Sequence, residues 1–261
     1  MSYTCSDLMR DMENIGIDGT GTLFVHSSIK AVGDVEGGGE TILDALIAYM
    51  KDGLLVLPTH TWEQITGPGE VFDPLTEPSC VGMLTNLFMR RPGTIRSIHP
   101  THSMAALGSD AAAFVAGEQD ILTPCGRDGC YGKLLDRHAQ ILFLGCSLKC
   151  NTFLHAVEEW AGVPDRITPT PVGYRIRMPD GNIVQQAGYR HHSVLVKCVS
   201  DNYDKMEKPL LRLGIATEGV IGDARCVLCG AAGMNELVMR LLAKDAQLFA
   251  DDAPIPEELF L

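Results

Sequence analysis

The chain has 261 residues, 46% hydrophobic and 21% charged, an ordinary globular make-up that excludes disordered, collagen-like and coiled-coil architectures. Its 21 Lys and Arg face 33 Asp and Glu, a formal net charge of −12, and no basic run is denser than Arg90–Arg91. That balance excludes a nucleic-acid binder and would draw in a cationic small molecule.

The first residues show no basic-then-apolar leader, and no apolar run nears the ~18 residues of a membrane helix. A cytoplasmic location is therefore expected, with no membrane partner and with the nine cysteines as free thiols. In chain order, Ser6–Asn14 reads as a capped helix stopped before Gly16. The apolar run Thr22–Val25 is a strand, followed by the polar loop His26-Ser27-Ser28-Ile29-Lys30-Ala31-Val32-Gly33 and glycines 37–39. Helical spacing over 40–50, the stop Asp52-Gly53 and the apolar run Leu54–Pro58 complete a strand, loop, helix, strand series. That series is the pattern of a βαβ unit in a parallel sheet.

Residues 81–91 read as a helix broken by Pro92-Gly93, and the polar stretch Ser97–Ser103 precedes the apolar Met104–Leu107. A short helix over Tyr131–Arg137 feeds the buried strand Ile141–Gly145, and a helix over 152–162 follows with Asn151 as its N-cap. Beyond Pro164, the alternation Tyr174–Met178, the turn Pro179-Asp180-Gly181-Asn182 and Ile183-Val184 read as an antiparallel hairpin. Helical spacing returns at 203–213 and 234–243, around a strand near Cys226–Cys229. The expected fold is one α/β domain over 1–261. Its central sheet is mostly parallel and flanked by helices, with an antiparallel C-terminal extension.

Three clusters could carry chemistry. His26-Ser27-Ser28, after a strand and ahead of a glycine-rich helix entry, offers hydroxyls and backbone N–H groups to a phosphate, or simply caps a loop. Ser97-Ile98-His99-Pro100-Thr101-His102-Ser103 could line a ligand, or its hydroxyls could bond their own backbone. His155 is the sharpest candidate. It sits early in the helix that follows the buried strand, where α/β sheets bind ligands, with Glu158 and Glu159 three and four residues on. A carboxylate on the same helix face would orient the imidazole and raise its basicity for general-base work.

The set HSSIKAVGDVEGG, PTHTW, RSIHPTHSMAALG, TPCGRDGCYGKL, ILFLGCSLKCNTFLHAVE and VIGDARCVL resembles, in order and over about residues 15–250, the aminoglycoside 3-N-acetyltransferase (antibiotic N-acetyltransferase) family. The resemblance implies a fold distinct from the GNAT acetyltransferases, acetyl-CoA as co-substrate, and acetyl transfer to an aminoglycoside amine, the 3-amino group of the deoxystreptamine ring. It assigns His26, Ser27, Ser28, Lys30, Ala31 and Val32 to the coenzyme pyrophosphate. Arg96, Ser97, Ile98, His99 and Ser103 fall to its pantetheine and thioester. The catalytic histidine of the T-x-L-H motif falls on His155, within Thr152-Phe153-Leu154-His155, with Glu158 as its acid. Asp201, Glu159 and Thr61 then face the amino sugar.

The chain departs from the family where Asp128-Gly129-Cys130 replaces D-S-P, and in the Tyr189-Arg190-His191-His192 run, whose Arg190 disfavours a polycationic acceptor. The competing readings are transfer to a non-aminoglycoside amine, a zinc enzyme using His191, His192 and Cys198, and a non-catalytic binding module. No metal is expected, at Cys226-x-x-Cys229 or elsewhere, and the expected partners are the amine, coenzyme A and a second copy of the chain as a homodimer.

Overall fold

Strand β1 (Thr22–Ser27) alternates its side chains between two apolar layers, and this computed structural model, described over residues 2–261, is built around it. Leu23 and Val25 enter one core and Phe24 the other, so both faces of the sheet must be covered by helices. Helix α1 (Cys5–Ile15) is closed by a Thr4/Asp7 capping box and by Gly16, whose φ of 88° ends the helix as a left-handed residue. Together with α2 (Gly39–Tyr49) it covers the face of Leu23.

β2 (Leu54–Pro58) pairs parallel with β1, Phe24 opposite Val56. β3 (Val71–Phe72) lies in a second sheet. The helix expected at 81–91 is shorter, α3 (Met83–Phe88), entered from Gly82 at φ 118°. β4 (Ile95–Arg96) and β5 (Met104–Gly108) add antiparallel strands beyond β2. Helices α4 (Ala111–Val115) and α5 (Cys130–Asp136) join the core that contains Phe24. β6 (Gln140–Leu144) pairs parallel with β1 on its other side.

Helix α6 (Thr152–Trp160) begins at Asn151 as expected, the Asn151 side chain accepting from the Phe153 N–H at 3.2 Å. The expected hairpin is β7 (Val172–Arg177) with β8 (Ile183–Gly188), joined to β3 in a three-stranded sheet with its own cluster, Ile65, Phe72, Tyr174 and Ile176. The helix expected at 203–213 is split into a 3₁₀ segment, Val199–Met206, and α7 (Glu207–Arg212). Pro209 falls in the first turn of α7, where its missing N–H costs nothing.

β9 (Ala216–Ile221) and β10 (Ala224–Gly230) form a hairpin that extends the main sheet. α8 (Ala231–Leu242) and α9 (Glu257–Phe260) complete the core beneath it. The seven-stranded order is β4-β5-β2-β1-β6-β10-β9. Its centre, β2-β1-β6, is parallel and its flanks antiparallel. The C-terminal ends of the three parallel strands therefore open on one edge, where β1 leads into Ser28–Val32 and β6 into α6. Gly145 makes that edge close. At φ 66°, a Cβ there would lie 2.5 Å from the Ala31 Cβ.

Candidate active site

A cavity of about 640 Å³ opens at that edge. His26 and Ser27 from β1, Pro58 and His60 from the end of β2, and Thr152 and His155 from α6 line it. Arg166, the stretch 190–193 and Lys197–Ser200 close the other wall.

His155 is placed as expected, but its partner differs. Its Nδ1 lies 2.7 Å from Tyr203 Oη, and Tyr203 Oη lies 2.5 Å from Glu158 Oε2. The direct His155–Glu158 separation is 3.7 Å, too long for a hydrogen bond, so Tyr203 stands between them. Glu158 is fully buried, and its second oxygen accepts from Arg166 Nε at 2.6 Å. Both Glu158 oxygens accept, as an ionised carboxylate does, so the single Tyr203 proton points to Glu158. Tyr203 Oη can then only accept from His155, which fixes the proton on Nδ1 and leaves a lone pair on Nε2.

Nor is the imidazole made more basic. Burial, and then the Arg166 charge, push its pKa down to about 3, so it is neutral at pH 7. Burial raises the Glu158 carboxyl, against the opposing pull of Tyr203 and Arg166. His191 stacks on His155 at 4.4 Å between centroids, and His102 meets His191 and His60 at 4.7 Å each. Burial drives His60, His102 and His191 well below the ordinary imidazole range, so this cluster too is uncharged.

Of the residues expected to hold the coenzyme, only His26 and Ser27 line the cavity. The Ser28 N–H donates to Leu144 O, Lys30 is exposed, and Val32 is buried in the sheet-packing core beside the partly buried Ala31. The second expected coenzyme segment has another task. Arg96 donates to Thr59 O at 2.6 Å, Glu77 O at 2.5 Å and Ser103 Oγ at 3.0 Å. Ser97 Oγ accepts from Met104 N, and Ser103 Oγ donates to Thr59 O. His99 Nδ1 accepts from the N–H groups of Thr101 and His102, its Nε2 donates to Thr123 O, and Ile98 packs on the small third cluster. These groups are consumed in holding the loops, and only Thr101 and His102 of the stretch reach the cavity.

The expected acceptor residues are also turned elsewhere. Thr61 is buried with its hydroxyl on Pro100 O, and the Glu159 carboxylate accepts from Thr123 Oγ1 and Cys125 N. Asp201 is exposed, beside the cavity residue Ser200. Sequence reasoning missed Tyr203, Arg166, His60 and Tyr131, whose hydroxyl lies 2.9 Å from His60 Nε2. They lie far apart in the chain and join only through the fold.

Among the described residues, one set of side chains has metal-ligand spacing, Cys125, Glu159 and His191, and it differs from the His191, His192, Cys198 set. Cys226 and Cys229 point into opposite layers of the sheet and cannot meet on one ion. No described helix is long and apolar enough to cross a membrane.

Comparison with known proteins identifies the family. Residues 24–243 match the family model described as aminoglycoside 3-N-acetyltransferase. Aminoglycoside N(3)-acetyltransferase VII of Streptomyces paromomycinus is 28% identical over 85% of each chain. Aminoglycoside N(3)-acetyltransferase III of a Salmonella species is 26% identical over 88% of this chain and 87% of its own. Among solved structures, AAC-IIIb in binary complex with CoASH superposes with a TM-score of 0.81 at 25% identity, over 98% of this chain and 100% of its own. A mutant of aminoglycoside acetyltransferase AAC(3)-IVa in complex with a gentamicin gives 0.82 at 25% identity, over 95% and 92%. The chain is an acyltransferase that belongs to the aminoglycoside 3-N-acetyltransferase family.

Proposed function

We propose that the protein transfers an acetyl group from acetyl-CoA to a primary amine, with His155 as general base. The observation that carries this reading is the Glu158–Tyr203–His155 relay, which presents an unprotonated Nε2 at the cavity at neutral pH. Acetyl-CoA supplies an acyl thioester. Lys149 and Lys197 on the cavity wall suit its phosphate charges, and His26 and Ser27 stand at the strand end beneath.

His155 Nε2 takes the proton that the amine nitrogen gives up as its bond to the acetyl carbon forms. The carbon–sulfur bond breaks, its electron pair leaves with sulfur, and the sulfur ends protonated. Tyr203 Oη, polarised by Glu158, faces the imidazolium as it forms and stabilises the charge where it develops. The names of the relatives make an aminoglycoside amine the first acceptor class. A second reading, an amine outside that class, is favoured by Arg166 and Arg190 on the wall apart from the two lysines suited to the coenzyme, with no Asp or Glu among the described lining residues.

The test is thiol release from acetyl-CoA with aminoglycosides and simpler amines, together with the mass of the product. One thiol per acetylated amine is expected. Absence of transfer to any amine would remove the reading.

A further inference from the structure

We propose that Cys146 and Cys150, on the turn between β6 and α6, are a thiol pair that exchanges with small-molecule disulfides, Cys150 attacking and Cys146 resolving the adduct. The pair stands apart from the acetyltransferase reading; only its effect on transfer rests on that reading. β6 ends at Leu144, and Gly145 turns the chain at φ 66°. Ser147 is extended, and Leu148–Cys150 is a single 3₁₀ turn in which the Cys150 N–H donates to Ser147 O at 3.1 Å. That path brings Cys150 back beside Cys146, whose thiol donates to Cys150 Sγ. Cys150 is exposed on the cavity wall, while Cys146 is partly buried against the larger core. Cys198, also exposed on that wall, has Ser200 Oγ at 3.1 Å as its partner instead of a second thiol.

The charges around the turn act against each other. From the 199–206 segment, Asp204 accepts from the Lys149 N–H at 3.1 Å, and its charge opposes ionisation of Cys150. Asp201 stands in solvent, and Lys205 is turned onto Leu248 O and Asp251. Lys149 itself lines the cavity. On β10, Cys226 lies beside Cys146 and is a neutral thiol, pushed up by burial to about 11. The bond from Cys146 outweighs burial and Asp204 and holds Cys150 down at about 7, and the same bond raises Cys146. Cys150 therefore presents the nucleophilic thiolate to the cavity at neutral pH.

The Cys150 thiolate attacks one sulfur of the small disulfide. The S–S bond breaks, one small thiolate leaves and is protonated by water, and Cys150 carries the other half as a mixed disulfide. Cys146 no longer faces a thiolate and can lose its proton. It attacks Cys150 Sγ, forms the Cys146–Cys150 disulfide and expels the second small thiolate. Two protein thiols are oxidised and one small disulfide is reduced to two thiols. The oxidised turn directly precedes Asn151, the N-cap of the helix that carries His155, and contains Lys149, so acetyl transfer should slow.

The test treats wild-type protein with glutathione disulfide and, separately, coenzyme A disulfide over pH 6–9, read by intact mass and peptide mapping. Wild type should lose two hydrogens at Cys146 and Cys150, with a rate that levels off above about pH 7. Cys150→Ser should form no such bridge. Cys146→Ala should stop at the mixed disulfide on Cys150, with its rate still climbing to about pH 8.5, as for an ordinary thiol. First reaction at Cys198, a wild-type rate that climbs to pH 8.5, or a lasting mixed disulfide in wild type would overturn the proposal. If Cys146→Ala does not fold, the wild-type map and rate profile decide alone. Bridging in either arm supports the pair, and the faster arm names the disulfide it meets.

In the oxidised protein kcat/KM for acetyl-CoA should fall about tenfold or more and return with dithiothreitol, as displacement of a positioning wall implies. Unchanged transfer after complete bridging would overturn that effect. Failure to bridge sinks only this inference, whereas no transfer by the reduced protein to any amine sinks the acetyltransferase reading.

Discussion

Two polar clusters flank the cavity, and they differ in what their polar atoms have left to give. In the stretch 96–103, almost every donor and acceptor is matched. Arg96 holds three backbone carbonyls, Ser97 and Ser103 bridge backbone groups, and both ring nitrogens of His99 are bonded. In the chain from His155 through Tyr203 and Glu158 to Arg166, the interior bonds are equally tight, but the end at the cavity is open. His155 Nε2 bonds to no other described residue. Density of histidine and serine therefore does not mark a site. Unmatched atoms at the cavity wall do.

The largest expected effect tests the open end of that chain. His155→Ala should lower kcat by about 10²- to 10⁴-fold, the range of general-base catalysis, with acetyl-CoA affinity by calorimetry within threefold of wild type. Retained turnover within threefold would remove His155 from the mechanism. Since the His155 pKa lies at about 3, it stays neutral from pH 5 to 8. Over that range kcat/KM should rise with pH only as the amine acceptor deprotonates.

The same burial makes the histidine cluster a liability in acid. His26, His99 and His155 have folded-state pKa values of about 3, 4 and 3, and those of His60, His102 and His191 also lie well below 6.5. The unfolded chain binds more protons than the folded one below about pH 6.5. Stability is therefore fully present above that pH and falls as pH drops toward the folded values. Each histidine contributes up to about 1.4 kcal/mol per pH unit. Taking up these protons favours the unfolded chain, so loss of stability is expected as pH falls below about 6.5. A far-UV circular dichroism titration reads it, and a signal flat to pH 3 would contradict the burial of the cluster.

How much of this was legible in the chain follows from distance in sequence. β1, β2 and β6 show as short apolar runs, and α6 announces itself through Asn151, because a buried strand and a helix cap are local features. β9 has its middle residues exposed and a glycine among them, so no alternation marks it. At the site, the T-x-L-H resemblance and the spacing to Glu158 found one helix face. Tyr203 and Arg166 come from 45 and 8 residues beyond Glu158, and only the fold shows that both meet the same carboxylate. Sequence also cannot tell a matched serine from a free one, which is why 96–103 read as a ligand loop.

A smaller effect is expected from Tyr203→Phe, which keeps the ring and removes one oxygen. Glu158 Oε2 and His155 Nδ1 would each lose a buried partner, at about 1–3 kcal/mol of stability, and His155 its tautomeric bias. A kcat loss of about 10- to 100-fold with KM nearly unchanged is expected. An equal loss of kcat in Tyr203→Phe and His155→Ala would mean that the relay acts as a single unit.

On the matched side, Arg96→Met should cost about 2–3 kcal/mol by denaturant titration, because it removes four hydrogen bonds, three of them to backbone carbonyls. Its kcat/KM should change by less than about threefold once the protein is folded. A KM for acetyl-CoA raised tenfold without loss of stability would return this stretch to the coenzyme site and erase the contrast between the two clusters.

The smallest effect is expected at Asp201. It is exposed in the first turn of the 199–206 segment, and of its neighbours Val199 and Ser200 line the cavity while it does not. Its charge sits in solvent, where screening over about 8 Å at physiological salt leaves little to act on a ligand inside the wall. Asp201→Asn should therefore change kcat/KM by less than about twofold for any amine acceptor that the wild type acetylates, and Tm by no more than a degree or two. A large loss confined to polycationic acceptors would show that this turn closes over the ligand. The acceptor wall would then be more acidic than the residues that line the cavity in this structure.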